Sequence, residues 1–264
     1  MTRSEPLGRS DVLEATRIVV KVGSSSVSGA NTGQIEPLVD ALVATYRRGV
    51  EIVLVSSGAI ASAISSLDLD GRPQDLATQQ AAAAVGQNIL MWRYQTSLDR
   101  YGILAGQVLL TAGDLENPTH RSNAQRAMER LLDLRILPIV NENDTVATQE
   151  IRFGDNDRLA ALVSELIGAD LLVLLSDVDA LYTRPPSEPG ARAIAHVPFD
   201  DDLEGVELGD IGAAGVGTGG AGTKIAAAKH AAAGGTPVLL TSTANVARAL
   251  AGEDTGTWFD AKPR

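Results

Sequence analysis

The chain has 264 residues, 33 acidic against 22 basic side chains, a formal charge of -11, a pI near 4.7 and no cysteine. Its length fits one large α/β domain, the favoured reading, as well as two small ones, its negative field argues against a nucleic-acid or anionic-membrane surface, and without thiols neither a disulfide nor a thiolate metal site can form. The amino terminus lacks an apolar signal core and no uncharged apolar run nears the roughly 20 residues that cross a bilayer, so a soluble, cytoplasmic protein is expected.

The first strand expected is RIVVKVG, residues 17–23, which ends on Lys21 and runs into a glycine and three serines. Such a turn offers N–H and hydroxyl donors to an anion, although an ordinary polar turn fits the segment as well. Ile35, Leu38, Val39, Leu42, Val43 and Tyr46 then form one helical stripe that stops at Arg47, Arg48 and Gly49. VEIVLVSSG, 50–58, is a second strand, and Ser57 and Gly58 open a helix whose amino end attracts a carboxylate or phosphate. The Ala-rich segment from Leu76 to Leu98 is helical in pattern, with Gly86 as a kink or a close packing point.

Two further strands, ILAGQVLL at 103–110 and RILPIV at 135–140, lead to the first polar cluster, where Asn141, Glu142, Asn143 and Asp144 are expected to emerge from a strand's carboxyl end. That is where open α/β sheets bind ligands. In the second cluster, GDNDRLA at 154–160, Asn156 and Asp157 start a helix marked by Leu159, Leu162, Val163, Leu166 and Ile167. DLLVLLSD at 170–177 and TPVLLTS at 236–242 complete the strands. TRPPSEPGAR, 183–192, reads as a surface loop, and DDLEGVELGD, 201–210, as an acidic exposed stretch. AAGVGTGGAGTK, 213–224, can bring several backbone N–H groups to a phosphate and then places Lys224 before a helical pattern. Its order is neither that of a Walker loop nor that of a dinucleotide fingerprint. The three histidines share no metal-ligand spacing. Strands alternating with helices, each strand almost wholly apolar, predict a three-layer αβα sandwich around a mostly parallel sheet.

KVGSSSV, SSGAI, NENDTVAT, FGDNDRLAALV, LLSDVDALYT and GTGGAGTK, in this order, resemble the amino acid kinase family over nearly the whole chain. The resemblance implies that ATP and Mg²⁺ serve as phosphoryl donor and cofactor, and that L-glutamate is the acceptor, giving L-glutamyl 5-phosphate in the first step of proline biosynthesis. It implies catalytic roles for Lys21 and Lys224 at the transferring phosphoryl group, with Asp157 holding both. Ser57, Asp144 and Asn156 would bind the acceptor, and Lys21, Ser176, Asp177, Thr218, Gly219, Gly220, Ala221, Gly222, Thr223 and Lys224 the nucleotide. Ser176 stands where the family commonly has threonine and keeps the hydroxyl. No protein ligand to the metal is assigned. Many members continue into a PUA domain, a type associated with RNA binding; this chain is read as a single kinase domain, 1–264, without one. Proline as feedback inhibitor and a homo-dimer or homo-tetramer are further family expectations. The alternatives are another member of the superfamily, acting on N-acetylglutamate, aspartate, carbamate or a nucleoside monophosphate, and a non-catalytic amino-acid sensor.

Overall fold

In a computed structural model, residues 7–146, 156–207 and 220–263 are described. The six expected strands all form: β1 (Arg17–Val22), β2 (Glu51–Ser56), β3 (Ala105–Leu110), β4 (Leu137–Glu142), β5 (Leu171–Ser176) and, after three short ones, β9 (Val238–Ser242). The short strands are β6 (Leu181–Tyr182), β7 (Ala193–Ile194) and β8 (His196–Val197), and β10 (Thr257–Phe259) follows last. Eight strands make one sheet in the order β3-β4-β2-β1-β5-β9-β10-β8. Its pairings are parallel except that between β9 and β10. The hairpin β6–β7 stands apart, joined by the predicted 183–192 loop.

Strand alternation divides the interior in two. Ile18, Val20 and Val22 of β1, Ile52 and Leu54 of β2, and Leu171, Val173 and Leu175 of β5 point into one core. There they meet α2 (Ile35–Tyr46), α4 (Leu76–Asp99) and α9 (Val246–Leu250). Val19, Val53, Val55, Leu172 and Leu174 point the other way, against α6 (Pro118–Asp133), α7 (Asn156–Ile167) and α8 (Ala221–Ala233). This is the expected three-layer sandwich. Three short helices complete it: α1 (Ser24–Val27), α3 (Ala59–Ala63) and α5 (Ala112–Glu116). Both faces of β1 and β5 are dry because both are covered, which is why these strands carry unbroken apolar runs rather than alternating ones.

Local chemistry sets the helix limits. Asp75 caps α4 by accepting from the Thr78 N–H at 2.8 Å, and Asn117 caps α6 from Thr119 and His120, with Pro118 in the first turn. The Gly86 expectation is met by close approach. A Cβ added there would lie 1.7 Å from the Ala59 carbonyl oxygen, so only glycine lets α4 lie against α3.

Two boundaries differ from expectation. The strand read as 135–140 runs from Leu137 to Glu142, because Arg135 takes φ +56° in the turn after α6, and the ladder with β3 continues to the pair Leu110–Glu142. Asn141 and Glu142 are therefore buried members of the strand instead of residues emerging from it. Likewise α8 begins at Ala221, so Lys224 sits in its first turn rather than ahead of the helix.

Candidate active site

Period-two geometry decides where Lys21 points. Val19 faces α7 and α8, so Lys21, two residues on, faces the same layer near the carboxyl end of the central strand. Asp157, in the first turn of α7, is fully buried and forms an ion pair through Oδ1 with Lys21 Nζ. Its Oδ2 accepts from Lys224 Nζ at 3.2 Å, with Thr223 Oγ1 at 3.5 Å. Two ammonium groups from residues some two hundred positions apart in sequence are thus fixed no farther apart than one carboxylate and two hydrogen bonds. Lys21 and Lys224 keep only 5% and 11% of their side chains exposed. A charge cluster this dry holds its geometry against water, and its ammonium groups would act strongly on an anion brought beside them.

Glycine shapes the loops on either side. A Cβ on Gly23 would lie 4.0 Å from Lys21 Nζ, and Gly58, with φ +104°, brings the SSGA turn against Ser24, where a Cβ would lie 3.5 Å from its Cα. The serine loop folds into α1 rather than an open turn. Its Ser26 is buried and accepts from Thr243 Oγ1 at 2.8 Å, and Thr243 also bonds the Ser176 carbonyl, so the ends of β1, β5 and β9 are tied together. Ser176, at the end of β5, donates to Asp177 Oδ1 at 3.0 Å, and Asp177 is exposed. Gly220 caps α8, and Ala221 and Gly222 are exposed on its first turn. Thr218, Gly219 and the Gly154–Asp155 start of the second polar cluster lie outside the described residues.

The three residues expected to bind the acceptor divide into a pair and a single. Asn156 Nδ2 donates to Ser57 Oγ at 2.9 Å, joining the start of α7 to the SSGA turn. Asp144 lies in a cavity of about 300 Å³ whose wall includes Ala59, two residues after Ser57. Helix α4 braces both edges of this region. Burial pushes the Tyr94 phenol well above its ordinary pKa, against the smaller pull of its hydrogen bond with Ser56 Oγ at 2.8 Å, and Ser56 in turn donates to the Ser57 carbonyl. About two turns away, Gln87 Oε1 accepts from Asn141 Nδ2 at 2.8 Å.

Sequence reasoning assigned α4 to packing and so missed Gln87. The signal was present: Gln87 shares the buried helical face with Ala83, Leu90 and Tyr94, a polar residue where the pattern requires an apolar one. Among the described residues no group of three or more His, Asp or Glu side chains is placed to hold a metal, and no helix is long and apolar enough to cross a membrane.

Comparison with known proteins bears on the family and the fold. A model of the amino acid kinase family matches residues 16–242. A glutamate 5-kinase from Clavibacter sepedonicus is 73% identical over 251 residues, covering 95% of this chain and 96% of its own. One from Streptomyces coelicolor is 56% identical over 260 residues, covering 97% of this chain and 70% of its own. Among solved structures, carbamate kinase from Giardia lamblia bound to AMP-PNP superposes with a TM-score of 0.67 at 16% identity, over 95% of this chain and 100% of that one, a likeness of fold. With the family match spanning most of its length and close relatives aligned almost end to end, the chain belongs to the amino acid kinase family.

Proposed function

We propose that the protein transfers the terminal phosphoryl group of ATP to the side-chain carboxylate of L-glutamate, as a glutamate 5-kinase. The observation that carries the reading is the convergence of Lys21 and Lys224 on the buried Asp157, beside the loop ends that present Ser57 and Asn156. A side-chain carboxylate with a reference pKa of about 4.3 is already an anionic nucleophile at neutral pH, so no general base is required. What the reaction requires is the alignment of two anions and compensation of the charge between them.

In this reading a glutamate carboxylate oxygen attacks the γ-phosphorus, the bond to the bridging oxygen breaks, and ADP leaves. Lys21 and Lys224 stabilise the charge on the transferring group, and Asp157 keeps both ammonium groups in position. Ser57, Asn156 and Asp144 hold the acceptor, with Asp144 against its α-ammonium, which disfavours an N-acylated substrate. Ser176, Asp177 and residues 218–224 hold the nucleotide, whose phosphates meet the amino end of α8. Mg²⁺, when bound with the nucleotide, would supply charge neutralisation on its phosphates, and no side chain of this chain is assigned to hold it. Cytoplasmic location, homo-oligomeric assembly and feedback inhibition by proline belong to the same reading, as does a single kinase domain.

The test traps the product. Incubation with ATP, Mg²⁺, L-glutamate and hydroxylamine should yield γ-glutamyl hydroxamate in step with ADP. ADP release without hydroxamate, or faster hydroxamate formation from N-acetylglutamate, would overturn the reading.

A further inference from the structure

In the wall of the cavity beside Asp144, Gln87 carries a donor that none of the roles above uses. Gln87 is 8% exposed and lines that cavity with Asn88, Glu142, Asn143 and Asp144. Its amide orientation is fixed from the backbone outward. The Glu142 N–H donates to Asn141 Oδ1 at 2.8 Å, so Asn141 must present its NH₂ to Gln87, and Gln87 must meet it with Oε1. The Gln87 Nε2 group therefore faces away from Asn141, and it is buried without a hydrogen-bond partner among the described residues. A buried N–H₂ left unsatisfied is costly, so its place in a native structure calls for a reason.

We propose that Gln87 is a specificity-determining residue that donates through Nε2 to the α-carboxylate of the amino-acid acceptor. The inference rests on the kinase reading above. With the α-ammonium at Asp144, the α-carboxylate hangs from the same carbon and falls within the same cavity, where Gln87 is the donor whose direction the fold has set. The chain Glu142 N–H, Asn141, Gln87 then serves as an orienting relay. It makes the site a reader of the complete amino-acid end, ammonium and carboxylate together, while the distal carboxylate is left to the lysines.

Two glutamate analogues separate this contact from a packing role. Glutarate lacks the α-ammonium and 4-aminobutyrate lacks the α-carboxylate. In Gln87→Glu, which keeps the acceptor oxygen for Asn141 and replaces the donor, KM for glutamate and the inhibition constant of glutarate should each rise about tenfold or more. The inhibition constant of 4-aminobutyrate and KM for ATP should stay within about twofold, and the glutamate defect should shrink as pH falls and the new carboxyl gains a proton to donate. Gln87→Met, of similar volume, should show the same split without the pH recovery, and it decides the matter if the glutamate variant does not fold. Equal losses for both analogues, or unchanged KM for glutamate, would overturn the proposal. Wild-type protein in the same assay distinguishes the two readings: if it shows no glutamate-dependent ADP release the kinase reading fails. Calorimetric binding of glutamate and glutarate to wild type and Gln87→Glu then judges the contact alone.

Discussion

Replacing Asp157 by asparagine tests the arrangement on which the site depends. The side chain keeps its shape but loses the charge that both lysines share. Lys21 is 5% exposed and cannot recover water without moving β1, so its ammonium is left without a counter-charge inside the protein. Breaking a buried pair in this way costs about 3 to 5 kcal/mol. Lys224, at 11% on the first turn of a helix, is better placed to swing into solvent and adds little. In a chain of this size the loss should lower Tm by roughly 6 to 20 °C. Turnover should fall about 100-fold or more, since the two ammonium groups no longer hold one position. Urea unfolding and a coupled ADP-release assay measure the two effects. The double variant Lys21→Met/Asp157→Asn should recover about 1 to 3 kcal/mol relative to the sum of the single losses. Strict additivity, or an Asp157→Asn protein within about 1 kcal/mol of wild type, would show that the carboxylate does not hold the two lysines.

Other outcomes follow from the same geometry. Lys224→Ala should reduce turnover by about two to three powers of ten while circular dichroism stays unchanged, because the side chain leaves a helix end rather than the core. Asp144→Ala should raise KM for glutamate far more than KM for ATP, measured by varying each substrate in turn. Gly86→Ala should destabilise the protein by about 1 to 3 kcal/mol or more, since its Cβ would meet the Ala59 carbonyl at 1.7 Å and push α3 from α4; thermal unfolding reads this. Tyr94 has a folded pKa raised by burial above its ordinary 10.0, so its contribution to stability is present below pH 10 and is lost as pH rises beyond that value. Alkaline unfolding should be less steep in Tyr94→Phe.

The sheet was legible because its strands are unbroken apolar runs, and α2 because its stripe recurs at helical spacing. Strands β6, β7, β8 and β10 were not, since two or three residues carry no periodicity and form only where the tertiary structure offers a partner. The carboxyl end of β4 was misplaced for a related reason. Asn141 and Glu142 look like turn residues, yet the ladder with β3 and the amide of Gln87 satisfy them in a strand. Lys21, Asp157 and Lys224 were each unremarkable in isolation, and only their family order joined them. Their meeting depends on the side of the sheet β1 turns toward α7, which the alternation of Val19 and Val20 encodes but does not announce. Gln87 was hidden by the alanines around it, whose small size draws attention to packing.

An acceptor panel bears most directly on the central claim. ADP release should be followed with ATP and Mg²⁺ against L-glutamate, N-acetylglutamate, aspartate, carbamate and a nucleoside monophosphate, with wild type and Lys21→Ala side by side. Turnover should occur with L-glutamate, little should occur with the others, and the variant should lose about 100-fold or more. Preference for another acceptor, or a Lys21→Ala enzyme with near-normal turnover, would contradict that claim.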